Sequence, residues 1–168
     1  EALASGYDKR FFIDADIGFE PEQFLAIYNS DKLVIGGTYR LKKDEFVLNY
    51  NVLPEDAGYG TKPQSAEEVA YLGKHRGNAA GEFQVRHLPT GFMCIDTTVL
   101  YHLRSLVETY MDFDKQHWDF FPTRVVDRQY ETEDWAFCSL VRKHLECGVW
   151  LNANVITTHT GSKTWQVT

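Results

Sequence analysis

The sequence predicts an α/β domain in which helices flank a mostly parallel sheet. Three observations predict it. Short apolar runs of strand length recur along the 168 residues. Segments with helical spacing and recognisable start signals lie between them. Glycine and proline fall mainly at the joins, where breaks are expected.

Taken in order, Arg10 to Ile13 reads as a buried strand ending abruptly in acid. Pro21 suits the first turn of a helix, flanked by Glu20 and Glu22, with Phe24, Leu25 and Tyr28 on one face. "KLVIGG" (32–37) is a second strand closed by two glycines, and "EFVLNYNV" (45–52) a third. Residues 53–81 are polar and glycine-containing, with Pro54 and Pro63, and read as a long loop. "EFQVRHL" (82–88) alternates as a half-exposed strand does, and Pro89 ends it. "GFMCI" (91–95) is a buried strand, after which Asp96 can cap a helix from Thr97 to Tyr110. Residues 110–130 are rich in aromatics without helical period. From Thr132 to Cys147, the spacing of Phe137, Leu140, Val141 and His144 gives an amphipathic helix, with Gly148 at its C′ position. "VWLNANVI" (149–156) is the last strand.

The length is that of one domain, and such a chain buries roughly two thirds of its unfolded surface. A formal net charge of -7 argues against a nucleic-acid partner, which needs a basic face, while seventeen Lys and Arg leave room for a local phosphate-binding patch. No apolar run reaches the span of a membrane helix. Cys94, Cys138 and Cys147 sit in apolar periodic segments without metal spacing, as reduced core thiols of a cytoplasmic protein would.

"FFIDADIGFEPEQF" (11–24) carries the chemistry. Residues i and i+2 of an extended segment share a face, so Asp14 and Asp16 would meet at the carboxyl end of a strand, where open α/β sheets bind ligands. Two close carboxylates share either a proton or a cation, and Mg²⁺ or Mn²⁺ commonly takes one or two carboxylates with substrate phosphates completing the shell. The plain alternative is a strand-end turn, where Asp is common. Glu133 and Asp134, likewise, simply suit the first turn of a helix.

Together with "VIGGTYRLKK", "TGFMCID", "ETEDWAFC" and "THTGSKTW", this stretch resembles the GT-A glycosyltransferases. It is most similar to the small viral and bacterial members related to the yeast mannan-polymerase glycosyltransferases. The resemblance implies a GT-A-like sheet and an enzyme that moves a sugar from a UDP- or GDP-sugar to a hydroxyl of a glycan or other acceptor, with inversion. It implies Asp16 and His159 as ligands of a Mn²⁺ or Mg²⁺ cofactor, and Asp14 on the ribose or on the metal's shell. Asp134 would be the general base, lifted by apolar neighbours such as Trp135, with Glu133 orienting the acceptor. Thr90 and Gly91 would back the donor sugar. Arg40, Lys42 and Lys43 would meet the diphosphate, and the aromatics of 110–130 the acceptor. This family carries a nucleotide-binding βαβ portion before its D-x-D, whereas thirteen residues precede Asp14, so residues 1–168 are expected to be one partial domain.

Two other readings compete. A haloacid-dehalogenase-type phosphohydrolase would use Asp14 as nucleophile and Asp16 as general acid, although Gly18 departs from its motif. A non-catalytic carbohydrate-binding scaffold would keep the fold without the reaction.

Overall fold

The computed structural model describes residues 6–43, 47–54 and 65–161. In chain order these form β1 (Lys9–Ile13), β2 (Ile17–Gly18), α1 (Pro21–Tyr28), β3 (Val34–Tyr39), α2 (Ala66–Arg76), β4 (Glu82–Gln84), β5 (Phe92–Asp96) and α3 (Thr97–Leu103). Two hairpins follow, β6 (Thr109–Asp112) with β7 (Lys115–Trp118), and β8 (Arg124–Val126) with β9 (Gln129–Glu131). The chain then enters α4 (Glu133–His144) and β10 (Trp150–His159).

The central sheet runs β1-β5-β3-β10-β2, with β4 also on β10. Its strands are mostly antiparallel, which corrects the expected mostly parallel GT-A-like sheet. Among the described residues β3 and β10 form the one parallel pair; β5 opposes both β1 and β3, while β2 and β4 oppose β10. The cause of the misreading is physical. Phe92 to Ile95 are buried on both faces, and a continuous apolar run records two covered faces, not a direction. Because β5 reverses between β1 and β3, those two strands and β10 still point the same way. Their carboxyl ends meet at one edge, joined there by the start of β5, where Phe92 lies opposite Ile13.

Other elements depart from the pattern in instructive ways. β1 is an edge strand, with Phe12 and Ile13 partly exposed, not a buried one. The 45–52 run forms only single bridges, Arg40 to Leu48 and Asn51 to His87, and residues 44–46 lie outside the described residues. The long loop contains α2, capped where the Ser65 hydroxyl accepts from the Glu68 amide; residues 55–64 lie outside the described residues. Asp96 does cap α3, accepting from the Thr98 amide at 2.9 Å, but that helix stops at Leu103 because 109–112 joins a hairpin. α4 ends at His144, so Gly148 is not its C′ residue; with φ 67 it makes the left-handed step into β10 instead.

Two apolar clusters cover the sheet. The larger joins Phe83, Leu88, Met93, Leu103, Phe137 and Val141 under α2, α3 and α4. The smaller packs Ile27 of α1 against Ile35, Phe92 and Val155. α1 therefore buries Ile27 and half-buries Phe24, while Leu25 and Tyr28 face out. Cys94 and Cys138 are buried thiols, pushed by desolvation up to about 11 and about 12, and Cys147 is free and half-buried. No helix among the described residues is long and apolar enough to cross a membrane.

Candidate functional site

The edge where β1, β3 and β10 end is where the acidic residues gather. β1 stops at Ile13, and the Ile17 amide donates to the Asp14 carbonyl at 3.0 Å, so 14–17 is a tight turn. Asp14 and Asp16 thus do not share a face by strand alternation. The turn brings the Asp16 carboxylate to Lys42, whose ammonium offsets its charge.

Asp14 is fixed by its amide, which donates to the Gly91 carbonyl at 3.0 Å. A Cβ on Gly91 would stand 2.7 Å from the Tyr39 hydroxyl oxygen and 2.8 Å from Asp14 Oδ2. Gly91 is therefore the space into which Asp14 and Tyr39 converge, and any side chain there must displace them. Burial, and then the charges of Asp14, Asp134 and Asp16, hold the Tyr39 phenol well above its ordinary range, so it stays a neutral donor among carboxylates. Tyr39 was missed in the sequence, although it ends an apolar strand just as Asp14 follows one.

Asp16 meets β10. The short strand β2 lays Ile17 opposite His159, and the Thr160 amide donates to the Asp16 carbonyl at 2.8 Å. His159 Nε2 then lies 3.4 Å from Asp16 Oδ2. Its Nδ1 is 3.1 Å from the Arg40 carbonyl, which can only accept, so Nδ1 carries a hydrogen and Nε2 is the nitrogen turned toward the carboxylate. Either a proton or a cation between Nε2 and the carboxylate satisfies both. The Tyr39 ring stands edge-on to the imidazole with centroids 4.9 Å apart and restricts its rotation. The Lys42 ammonium already rests on Asp16 Oδ2, and this hydrogen bond, with the charges of Lys42 and His159, holds the Asp16 carboxyl below its ordinary range.

Among the described residues, no group of three or more protein ligands surrounds a point in space. Asp16 and His159 nevertheless offer an oxygen and a nitrogen at a spacing that suits neighbouring ligands on a small divalent ion, about 3 Å apart for bonds of about 2.1 Å. The backbone carbonyl behind His159 is the usual support of a ligating imidazole. An incomplete protein shell is also how Mg²⁺ is commonly held, with waters and phosphate oxygens supplying the rest.

Asp134 opens α4. Its Oδ1 accepts from the Trp135 amide at 2.9 Å and from the Thr132 hydroxyl, so Thr132 serves the carboxylate instead of capping the helix. Burial is the largest influence and lifts Asp134 above its ordinary value despite these bonds. Its charge is felt at Tyr39, which puts it in the same neighbourhood as Asp14 and Asp16. Glu133 is exposed, and its charge adds to the lift on Asp134. Thr90 is half-buried just before Gly91, and the Arg40 side chain reaches the Lys43 carbonyl at 3.4 Å. The aromatics of 110–130 divide: Phe120 and Phe121 pack on the core, whereas Phe113 and Tyr130 are exposed on the hairpins.

No protein-family model matches the chain, and no curated protein is significantly similar to it.

Proposed function

We propose that this chain carries the transfer site of a metal-dependent glycosyltransferase that moves a sugar from a UDP- or GDP-sugar to an acceptor hydroxyl, with inversion. The observation that carries the reading is the Asp16–His159 pair, a carboxylate oxygen and an imidazole nitrogen 3.4 Å apart, with the Tyr39 ring beside the imidazole and the charge of Asp134 felt at Tyr39. A bound Mn²⁺ or Mg²⁺ supplies Lewis-acid stabilisation to the departing diphosphate. Asp16 and His159 would hold it, with Asp14, its amide bonded to the Gly91 carbonyl, available for the donor's ribose or the ion's waters. Lys42, displaced from Asp16, turns to the diphosphate oxygens alongside Arg40 and Lys43. Asp134 takes the proton of the acceptor hydroxyl as its oxygen bonds to the sugar's anomeric carbon and the bond to diphosphate breaks. A carboxyl lifted by burial is a better base for this near neutral pH than an ordinary aspartate. Glu133 orients the acceptor, and Thr90 with Gly91 backs the donor sugar.

The test is Mn²⁺ binding, read by electron paramagnetic resonance, and turnover of a panel of UDP- and GDP-sugars. Asp16→Asn and His159→Ala should each weaken Mn²⁺ binding by about 10-fold or more and abolish turnover. Mn²⁺ affinity and turnover that survive both changes would reject the reading. An aspartyl-phosphate trapped on Asp14 would favour the phosphohydrolase instead.

A further inference from the structure

A second cavity, of about 400 Å³, lies between the β8–β9 hairpin and α4, within the usual range for small-molecule sites. Its lining includes His87, Trp135, Tyr130, Glu131, Arg86 and Asn51. Trp135 directly follows Asp134, so the cavity begins one residue from the proposed base.

His87 is the unusual member. It is 3% exposed and stacks on Trp135, rings 4.5 Å apart and 10° from parallel. The Ser139 hydroxyl donates to Glu131 Oε1 at 2.9 Å, so toward His87 Nε2, 3.5 Å away, its oxygen can only accept. Nε2 therefore carries the hydrogen and Nδ1 is the acceptor. That Nδ1 is buried and has no partner among the described residues. Burial, reinforced by the charge of Arg86, lowers the imidazole to about 4, which keeps it neutral at physiological pH. A buried acceptor left empty is costly in any fold, and a donor brought into the cavity that His87 lines would relieve that cost.

The charges around it narrow that donor's chemistry. Glu131 is already engaged by Arg124 at 2.7 Å and by Ser139. Arg86 shares the lining with the acids Asp127 and Glu131, so neither a free anion nor a free cation is favoured. Hydroxyls, which both donate and accept, suit an imidazole acceptor, a guanidinium and amides together. Tyr130, 62% exposed, adds a ring face on which an apolar sugar face can lie.

We propose that this cavity binds a neutral, hydroxyl-rich sugar ring, one of whose hydroxyls donates to His87 Nδ1. That the ring belongs to the acceptor rests on the transferase reading; that the cavity takes a sugar does not.

The experiment is a titration of the full chain with methyl hexopyranosides and disaccharides, followed by the ¹⁵N resonances of the histidine rings. A saturable shift of His87 Nδ1 toward the hydrogen-bonded position is expected. Tyr130→Ala and Arg86→Ala, both at accessible positions, should weaken sugar binding about tenfold while leaving Mn²⁺ binding unchanged. His87 Nδ1 unmoved by every sugar, or equal affinity in both variants, overturns the proposal. A larger response to inorganic phosphate overturns the ligand class. Sugar binding in a chain that binds neither Mn²⁺ nor nucleotide sugar removes only the transferase reading, whereas turnover without any response at His87 removes only the cavity.

Discussion

At Asp134, half-buried and lifted above its ordinary 3.8, the cost of ionisation can be tested directly. A carboxyl raised on folding contributes stability that is full below its unfolded pKa and lost as pH rises through the folded one. An amide removes that loss, and its Oδ1 can still accept from Trp135 and Thr132. Asp134→Asn should therefore abolish transfer yet leave the chain more stable than wild type at pH 7 in urea. The advantage should shrink as pH falls through the raised value and vanish below about 3.8. At Gly91 the expectation reverses, because a methyl group would press on Asp14 Oδ2 and the Tyr39 hydroxyl, at 2.8 and 2.7 Å. Gly91→Ala should cost roughly 10²-fold in kcat/KM, the usual penalty of a small misplacement, with circular dichroism unchanged.

Among the elements, the β8–β9 hairpin combines an unfavourable turn with a proposed function. Its turn residues, Asp127 and Arg128, have φ of 50 and 67, a pairing typical of the two-residue turns that favour Asp-Gly. Arg128→Gly should relieve side-chain crowding and raise stability by about 0.5–1 kcal/mol, measured by chemical denaturation. The hairpins also mark where the sequence is hard to read. Strands of three and four residues are too short for alternation to emerge, so 110–130 shows only an excess of aromatics. β5 was legible as a strand, and α1, α3 and α4 by their caps, proline or apolar stripes. α2 was hidden because polar residues and glycine surround its Val69 and Leu72. Asp14, Asp16 and Asp134 could be picked out because acids after apolar runs or at helix starts are visible locally. Tyr39 and the approach of Lys42 to Asp16 could not, since both depend on which strands lie side by side.

In the molecule as a whole, a buried histidine makes stability depend on pH. His87 is lowered from 6.5 to about 4, chiefly by desolvation. The unfolded chain then binds the extra proton, so stability is full above about 6.5 and is lost as pH falls toward about 4. Urea midpoints between pH 7 and pH 4 should fall for the wild type and flatten in His87→Gln. The same molecule-wide view explains the misjudged sheet: strand direction is fixed by connections, and β5 fits antiparallel between β1 and β3 without altering its own apolar pattern.

β10 links these scales. Leu151, at its beginning, lies in the larger apolar cluster, and His159, at its end, stands beside Asp16. Asp16 and His159 are brought into register by the same pairing that completes the sheet, so no later docking step is needed to assemble them. The entropy of gathering them is spent when the chain folds, and the cation of the proposed site would only have to exchange with the Lys42 ammonium.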